Sequence, residues 1–229
     1  MKNKTLWTDT EGKPIQAHGG MILQHKGIYY WYGENKDTET VNRHVDFIGI
    51  SCYSSEDLEN WRNEGIVLSP VVNNPAHMLY TKNICERPRV LYNKSTKQFV
   101  MYTHADTADY YYAGVNVAVA ASPTGPFVWL KSFQPNRQDS RDMTLFQDLD
   151  GSAWLIHSAN YNKTMNIARL SDDYLDVTGS YISIFQDQER EAPAIMYFHN
   201  RYYMITSGCS GWEPNPSLYG ICDHLIGPW

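Results

Sequence analysis

An aromatic, strand-like segment occurs four times along the chain, each time after a turn, and this repetition constrains the fold more than any other feature. The four segments cover residues 27–33, 97–103, 151–157 and 200–206. Successive central residues are 70, 54 and 49 positions apart; these are Tyr30, Val100, Trp154 and Tyr203. The long first interval contains a polar stretch, Asn35 to Asp46, that we interpret as an inserted loop. Without this insertion the period is about 50 residues, in the range of propeller blades.

Each repeat contains further short strands. Apolar segments precede the aromatic ones, at residues 20–23, 89–92, 143–146 and 194–197. Strand-like segments also follow them, at 48–53, 115–120, 166–170 and 218–222. No long apolar period of 3.6 residues is present, so many short strands separated by turns predict an all-β fold. The repeat makes this fold a β-propeller with about four blades. The alternative is a β-sandwich, which does not require matched turns at matched positions.

The fourth repeat ends directly after the turn that follows its third strand, so its outer strand is missing. An additional strand at Leu6–Trp7 would complete a four-bladed ring; otherwise the chain lacks the end of blade four and a further blade. An open ring leaves an unpaired strand edge. We therefore expect residues 1–229 to form a single propeller domain that is incomplete at its C-terminus.

Composition and charge exclude several classes of function. The formal net charge is −6, without a basic cluster, which argues against nucleic-acid binding. No stretch approaches the roughly 20 apolar residues of a membrane span. The chain also lacks a phosphate-binding loop, a GxSxG elbow and an HExxH motif. The 17 Tyr, 7 Trp and 7 Phe suit both β-strands and surfaces that stack on sugar rings.

The N-terminus carries a short basic opening but no apolar segment typical of a secretory signal. The cytoplasm is therefore the default expectation, with secretion or a periplasmic location as the alternative if the N-terminus is incomplete. We expect a monomer.

Ionisable residues recur at one position of the repeat. Counting back 12 residues from each aromatic centre, or 14 in the second repeat, reaches His18, Glu86, Asp142 and Glu191. Each of them lies just before the first strand of its repeat, and in a propeller such positions converge on the central channel. We therefore expect three carboxylates and one histidine to face one small space. The alternative is that the acidic residues only cap strand ends or pair with neighbouring arginines.

Crowded carboxylates can supply acid catalysis. Like charges raise one another's pKa, and a carboxyl group that stays protonated near neutral pH can act as a general acid. Glycoside hydrolysis typically uses a pair of carboxyl groups at a sugar-binding pocket. Glu191 has the best setting for the acid, because the following segment, Ala192–Ala194, offers little polar compensation. The adjacent Arg190 would act in the opposite direction.

Four other residues have two interpretations each. Glu34 ends the first aromatic strand, where it either reaches the channel or is solvated. Trp212 lies in a loop rich in glycine and proline, where it either stacks on a sugar or packs the loop. His104 and His157 either line the channel, with an ion as a further option, or simply pack between strands.

Seven motifs together resemble glycoside hydrolase family 43, and within it the branch of exo-acting galactan 1,3-β-galactosidases. They are Ala17–Gly20, Tyr30–Glu34, Ser51–Ser55, Glu86–Pro88, Ser140–Met143, Arg190–Pro193 and Ser207–Trp212. The resemblance extends from about Leu6 to Trp229. It implies a five-bladed β-propeller, of which this chain holds about four blades, and hydrolysis with inversion. It also implies that no nucleotide or redox cofactor is needed, and we expect no catalytic metal.

The resemblance also implies roles for individual residues. Glu191 would be the general acid, Asp142 would orient it and tune its pKa, and Glu86 would hold sugar hydroxyl groups. Many members have an aspartate base in the first blade, where this sequence has His18. In the galactosidase-like branch a glutamine of the fifth blade is proposed as the base instead. We predict that His18, Glu34 and Trp212 bind substrate.

The sequence thus predicts an exo-acting, inverting glycosidase for β-1,3-linked galactan or related plant polysaccharide side chains. Its partner would be an oligosaccharide or polysaccharide, with neither nucleic acid nor membrane involved. One alternative is an α-L-arabinofuranosidase or β-xylosidase of the same family, since pocket loops decide the sugar. The other is a carbohydrate-binding propeller without catalysis.

Overall fold

The computed structural model describes residues 5–41, 44–211 and 213–229, which form 17 β-strands and one 3-10 helix, Pro135–Arg137. The strands are β1 (His18–His25), β2 (Ile28–Glu34), β3 (Thr40–Val41), β4 (His44–Val45), β5 (Ile50–Ser55), β6 (Arg62–Leu68), β7 (Ile84–Asn93), β8 (Gln98–Asp106), β9 (Gly114–Ala120), β10 (Val128–Phe133), β11 (Met143–Gln147), β12 (Ala153–Ala159), β13 (Thr164–Leu170), β14 (Val177–Ile184), β15 (Arg190–Phe198), β16 (Arg201–Gly208) and β17 (Leu218–Cys222). These ranges contain no α-helix, as the absence of a 3.6-residue period predicts.

Each repeat forms one antiparallel sheet. Sheet 1 has the order β1-β2-β5-β6, sheet 2 β7-β8-β9-β10, sheet 3 β11-β12-β13-β14 and sheet 4 β15-β16-β17. Consecutive strands of each repeat lie side by side, the arrangement of a propeller blade. The prediction of four blades is confirmed, and the β-sandwich alternative is wrong. The insertion at 35–46 is not entirely a loop, because β3 and β4 pair within it as a short ribbon.

The chain divides into two compact units. The first holds the described residues up to Tyr111 together with 116–132, and the second holds 112–115 and the residues from Phe133 onward. In the first unit, β1 and β2 pack against β7. Its core includes the fully buried side chains of Tyr32, Ile50 and Val90.

The second unit has its own core. Here β15 packs against β11 and β12. Ile156, Met165, Ile167 and Met204 are fully buried within it. Apolar residues alternate along these strands and face the neighbouring sheet, so burying them provides most of the stabilisation.

The N-terminal segment does not supply an extra blade strand. Leu6 and Trp7 lie outside any strand, and Thr8 makes only an isolated bridge to Pro14. The Trp7 ring instead packs on the edge of Trp31, with 5.6 Å between ring centroids. Sheet 4 has three strands in the described part of the chain, as predicted for the fourth repeat. Within that part, no helix has the length and apolar character to cross a lipid bilayer.

Candidate active site

The start of β1 and the end of β2 bring two of the predicted site residues together. In the antiparallel register of these strands, His18 is opposite Glu34. Gly19 follows in a bulge with a φ of 57°, in the left-handed region that favours glycine. A Cβ atom at this position would lie 3.2 Å from Glu34 Oε1. The glycine therefore permits both the bulge and the close approach of the backbone to the carboxyl group.

Glu34 is buried rather than solvated. Its relative exposure is 6%, and Lys36 Nζ lies 2.5 Å from its Oε2. Burial and the charge of Glu86 raise the pKa of Glu34 to about 7, although Lys36 acts in the opposite direction. The interpretation of Glu34 as a solvated strand end is therefore wrong. Near neutral pH this carboxyl group exchanges between its protonated and ionised forms.

Glu86 is held in its ionised form by His104. The two residues are opposite each other in the ladder of β7 and β8, with 3.5 Å between His104 Nδ1 and Glu86 Oε2. On the other side of the ring, His104 Nε2 lies 3.2 Å from Asp106 Oδ2. The Tyr110 hydroxyl donates a hydrogen bond to Glu86 Oε1 at 3.1 Å. Glu86, His104 and Asp106 therefore form a line of alternating charge. Tyr110 also contacts the Glu86 carboxylate at one end of this line.

Burial disfavours every charge in this line, so the pKa shifts show which interactions outweigh it. Burial alone would raise the pKa of Glu86, but the hydrogen bond and positive charge of His104 hold it below its usual value. Burial would also lower the pKa of His104, yet Asp106 and Glu86 raise it to about 9. The imidazolium and the Glu86 carboxylate are consequently both charged at neutral pH.

His18 completes this group in the first unit. Its Nε2 lies 3.0 Å from Gln16 Oε1, and burial together with the charge of Lys36 lowers its pKa. His18 is therefore neutral at pH 7. Arg89 ties the neighbouring strands together, because its Nη1 donates to the carbonyl oxygen of Gly19 at 2.9 Å.

In the second unit, Asp142 and Glu191 are linked through one backbone group. Asp142 lies just before β11, and its Oδ2 accepts the N–H of Ala192 at 3.1 Å. Glu191 lies at the start of β15, where a bulge interrupts the pairing with β16 between Glu191 and Ala194. Ala192 has a φ of 51°, which is unfavourable for a residue with a side chain. The Asp142 carboxylate thus stabilises the bulge that sets the direction of Glu191.

Arg190 does not serve as the partner of Glu191. Its guanidinium is buried and donates to Thr206, from Nε to Oγ1 at 3.0 Å and from Nη2 to the carbonyl oxygen at 2.8 Å. Cys209 contacts Glu191 instead. Burial, the charge of Glu191 and a hydrogen bond with it raise the pKa of the Cys209 thiol to about 11, so the thiol remains protonated.

Sequence reasoning missed several residues of the site and left the role of His104 open. His104 does not merely pack between strands, because it pairs with Glu86 and Asp106. One signal was present: His104 and Asp106 are two positions apart near the end of a largely apolar strand, so they share one face of it. Tyr110 and Lys36 come from loops and carry no such signal. Trp212 lies outside the described residues.

No group of three or more His, Cys, Asp or Glu side chains within the described ranges is arranged to hold a metal ion. Ionised Glu86, neutral His18 and titrating Glu34 instead offer hydrogen-bond acceptors and donors to a polyhydroxyl ligand. Asp142 and Glu191 form a carboxyl pair in which one member orients the other. Carboxyl groups beside a site for a polyhydroxyl ligand are typical of glycoside hydrolases.

Comparison with known proteins agrees with this chemistry. The sequence profile of the glycosyl hydrolases family 43 matches residues 12–229. A comparison with curated proteins found no match. Among solved structures, a family 43 β-1,3-galactosidase with galactodeoxynojirimycin is 38% identical, with a TM-score of 0.93 over 99% of this chain and 79% of that one.

Two further enzymes with solved structures are exo-β-1,3-galactanases. That of Phanerochaete chrysosporium, with galactose, is 38% identical, with a TM-score of 0.91 over 100% of this chain and 52% of that one. A variant of the same enzyme, with one glutamate changed to glutamine, was solved with β-1,3-galactotriose. The enzyme of Clostridium thermocellum is also 38% identical, with a TM-score of 0.91 over 100% of this chain and 50% of that one.

The chain thus spans 79% of the galactosidase and about half the length of the two galactanases. The similarity covers essentially all of this chain, which confirms an all-β fold of the five-bladed β-propeller family with four blades present. The profile match covers both units and all the motifs named above. The chain belongs to family 43 of the glycosyl hydrolases, enzymes that hydrolyse O-glycosyl bonds.

Proposed function

We propose that this chain removes galactose from the end of β-1,3-linked galactan, with inversion at the anomeric carbon. The observation that carries the proposal is the 38% identity, over 98–100% of this chain, to enzymes named β-1,3-galactosidase or exo-β-1,3-galactanase. The structures of the Phanerochaete chrysosporium enzyme hold galactose or β-1,3-galactotriose. Family membership fixes the class of bond, and these relatives favour galactose as the sugar.

Glu191 is the general acid in this proposal. Its carboxyl proton passes to the glycosidic oxygen while the bond from that oxygen to the anomeric carbon breaks, so the leaving sugar departs as a neutral alcohol. In the same step a water molecule attacks the anomeric carbon from the opposite face of the ring, and its proton passes to a general base to which the proposal assigns no residue. The protonated Cys209 thiol contacts Glu191 and can donate to its carboxylate after proton transfer.

Asp142 is a positioning residue for this acid. Its hydrogen bond to the Ala192 N–H fixes the backbone directly after Glu191. In this proposal Asp142 also tunes the acid, because a second negative charge beside a carboxyl group favours its protonated form. Orientation and pKa therefore both depend on the same carboxylate.

Glu86 binds sugar hydroxyl groups. Its ionised carboxylate is a strong acceptor, and His104 and Tyr110 fix it on one side. Glu34 and His18, which lie in the same group, provide further hydrogen-bond partners. A carboxylate that is already oriented loses little entropy when it binds, which favours affinity for a ring with several hydroxyl groups.

A panel of substrates tests the proposal. Purified chain is incubated with β-1,3-galactan and with the 4-nitrophenyl glycosides of β-galactose, α-L-arabinofuranose and β-xylose. We expect galactose to be released from galactan, and the first product seen by proton NMR to be the α-anomer. A higher kcat/KM for the arabinoside or xyloside would assign the chain to the alternative activities. Binding of galactan without any hydrolysis would identify a carbohydrate-binding propeller.

A further inference from the structure

A polar cavity lies at the opposite end of sheet 1 from Glu34. It has a volume of about 400 Å³, within the range of ligand pockets. We name it the Tyr30 pocket; its lining includes Tyr30, Ser54, Asp57, Arg62 and Glu64. In the ladders, Tyr30 is opposite Ser54, and Ser54 is opposite Arg62.

The Tyr30 pocket is separate from the candidate active site. Tyr30 and Glu34 are four residues apart on β2, about 13 Å along the strand. They share one face of the sheet with Tyr32, which lies between them and is fully buried. The Tyr32 hydroxyl donates to the carbonyl oxygen of Pro123 and so closes the layer between the two ends.

On one side of the Tyr30 pocket, hydrogen bonds from Arg62 and Ser54 hold the Glu64 carboxylate in place. Arg62 donates to Glu64 Oε1 from Nε at 2.8 Å, with Nη2 2.6 Å away, and Ser54 Oγ donates to the same oxygen. The Glu64 side chain is only 16% exposed, whereas that of Arg62 is 73% exposed. The second oxygen of Glu64 accepts no hydrogen bond from the described residues. Carboxylate and guanidinium therefore present an acceptor and donors side by side to a ligand.

Tyr30 supplies an aromatic ring and a second donor. The ring is half-buried, and its hydroxyl makes no hydrogen bond within the described part of the chain. An aromatic face beside planar polar groups suits a sugar ring, whose C–H groups pack on the aromatic surface while its hydroxyl groups take the hydrogen bonds.

The charges in the Tyr30 pocket favour a neutral ligand. Asp57 also lines it, but its carboxylate already accepts the backbone N–H groups of Glu59 and Asn60, both at 2.8 Å, and the Ser55 hydroxyl at 2.9 Å. Glu64 is balanced by Arg62. Glu56 is the remaining carboxylate of the lining and is exposed, and one carboxylate is not the set of several oxygen ligands that selects a cation.

From these observations we propose that the Tyr30 pocket is a second carbohydrate-binding site, which holds one or two sugar units of the polysaccharide. This proposal rests on the proposed function for the choice of β-1,3-galactan. Its consequence is a second point of attachment to a polymer, which raises retention without changing the chemical step. Small glycosides, which fill only the candidate active site, gain nothing from it.

Protein NMR tests the Tyr30 pocket directly. The full chain with Glu191→Gln, which prevents hydrolysis, is titrated with β-1,3-galactotriose while the Arg62 Nε–H and the Glu64 amide are followed. Arg62→Ala is the test substitution, Tyr30→Leu is the second, and Glu59→Ala in the adjoining loop is the matched control. Thermal unfolding checks that each variant is folded. If Tyr30→Leu does not fold, the test relies on Arg62→Ala alone, since the Arg62 side chain is exposed.

We expect a saturable shift of both signals, and a dissociation constant at the Glu64 amide that rises at least about tenfold in Arg62→Ala but not in Glu59→Ala. With Glu191 restored, Arg62→Ala should lose retention on galactan in affinity electrophoresis and keep kcat/KM for the nitrophenyl galactoside. The second site is overturned if neither signal shifts, or if the dissociation constant in Arg62→Ala equals that of the parent protein. A shift that appears with calcium chloride but not with the trisaccharide also overturns it. Failure of the wild-type chain to hydrolyse galactan is a different result, and it rejects the proposed function instead.

Discussion

The Asp142 carboxylate accepts the backbone N–H of Ala192 at 3.1 Å, directly after Glu191. This hydrogen bond joins the start of β11 to the bulge in β15, and it spans 50 residues of sequence. A carboxylate that holds the backbone on which the acid is placed affects both the direction and the pKa of that acid. The consequences of changing Asp142 and Glu191 are therefore distinguishable.

Asp142→Asn should lower kcat by about 10²-fold, since the amide keeps an acceptor oxygen but loses the charge. It should also move the alkaline limb of the pH profile, where the general acid loses its proton, to lower pH. Asp142→Ala also removes the acceptor and should cost about 1–3 kcal/mol of unfolding free energy. Steady-state kinetics and urea unfolding measure the two effects. A wild-type kcat and pH profile in Asp142→Asn would remove Asp142 from its positioning role.

Glu191→Gln should lower kcat by about 10²–10⁴-fold, because the amide cannot donate a proton to the leaving oxygen. Binding of galactotriose, measured by calorimetry, should stay within a few-fold of the wild-type value. Glu189→Gln is the matched control, since Glu189 is exposed two positions earlier. Equal turnover in Glu191→Gln and the control would assign the acid to another residue.

The contacts of His104 with Glu86 and Asp106 predict a specific pH dependence of stability. The pKa of His104 is raised to about 9 in the folded chain, above its unfolded value near 6.5. Its contribution to the free energy of unfolding is therefore complete below about pH 6.5 and is lost as the pH rises to about 9. Urea unfolding at pH 6.5 and pH 9 measures this loss, which we expect to be smaller in His104→Gln. The same pH slope in both proteins would contradict the assignment of His104 as a charged partner.

His18→Ala should raise KM several-fold and leave kcat within about threefold of the wild type. The imidazole is neutral at pH 7 and is oriented by Gln16, so it suits hydrogen bonding to substrate. Initial rates over a range of galactan concentrations separate the two parameters. A fall of kcat by orders of magnitude with unchanged KM would instead identify His18 as the base.

Gly19→Ala should destabilise the chain by more than the roughly 1–2 kcal/mol that a left-handed backbone costs a residue with a side chain. Gly19 has a φ of 57°, and its added methyl group would also lie 3.2 Å from Glu34 Oε1. Gly12→Ala is the control, since Gly12 has a φ of 80° and open space around it. Urea unfolding should show a larger loss of unfolding free energy for Gly19→Ala than for Gly12→Ala. Equal losses would show that the contact with Glu34 has no energetic cost.

Much of the fold is predictable from the sequence because its signals are local. The aromatic segments around Tyr30 and Tyr203 became β2 and β16, since alternating side chains and flanking turns determine a strand within a few residues. Glu86 and Glu191 could be located because they recur at one position of the repeat, although they lie within the first strands of their repeats, β7 and β15, rather than just before them. The short ribbon of β3 and β4 was missed, since two-residue strands leave no periodic pattern.

The partners of the site residues could not be predicted in the same way. The contact between Glu86 and His104 depends on the register of β7 with β8, and Tyr110 reaches Glu86 from a loop. The raised pKa of Glu34 depends on burial, which Lys36 only partly offsets. The positive φ of Ala192 depends on Asp142, far away in sequence. Each of these features is a property of the folded chain.

Arg190 and Glu191 are adjacent in sequence, yet the pleat of β15 directs successive side chains to opposite faces of the sheet. The guanidinium is tied to Thr206, and the carboxyl group next to it is the general acid of the proposed function. Directed evolution of this strand should therefore tolerate changes unequally. Replacing Arg190 should harm expression and solubility before specificity, whereas replacing Glu191 should yield well-folded, inactive protein.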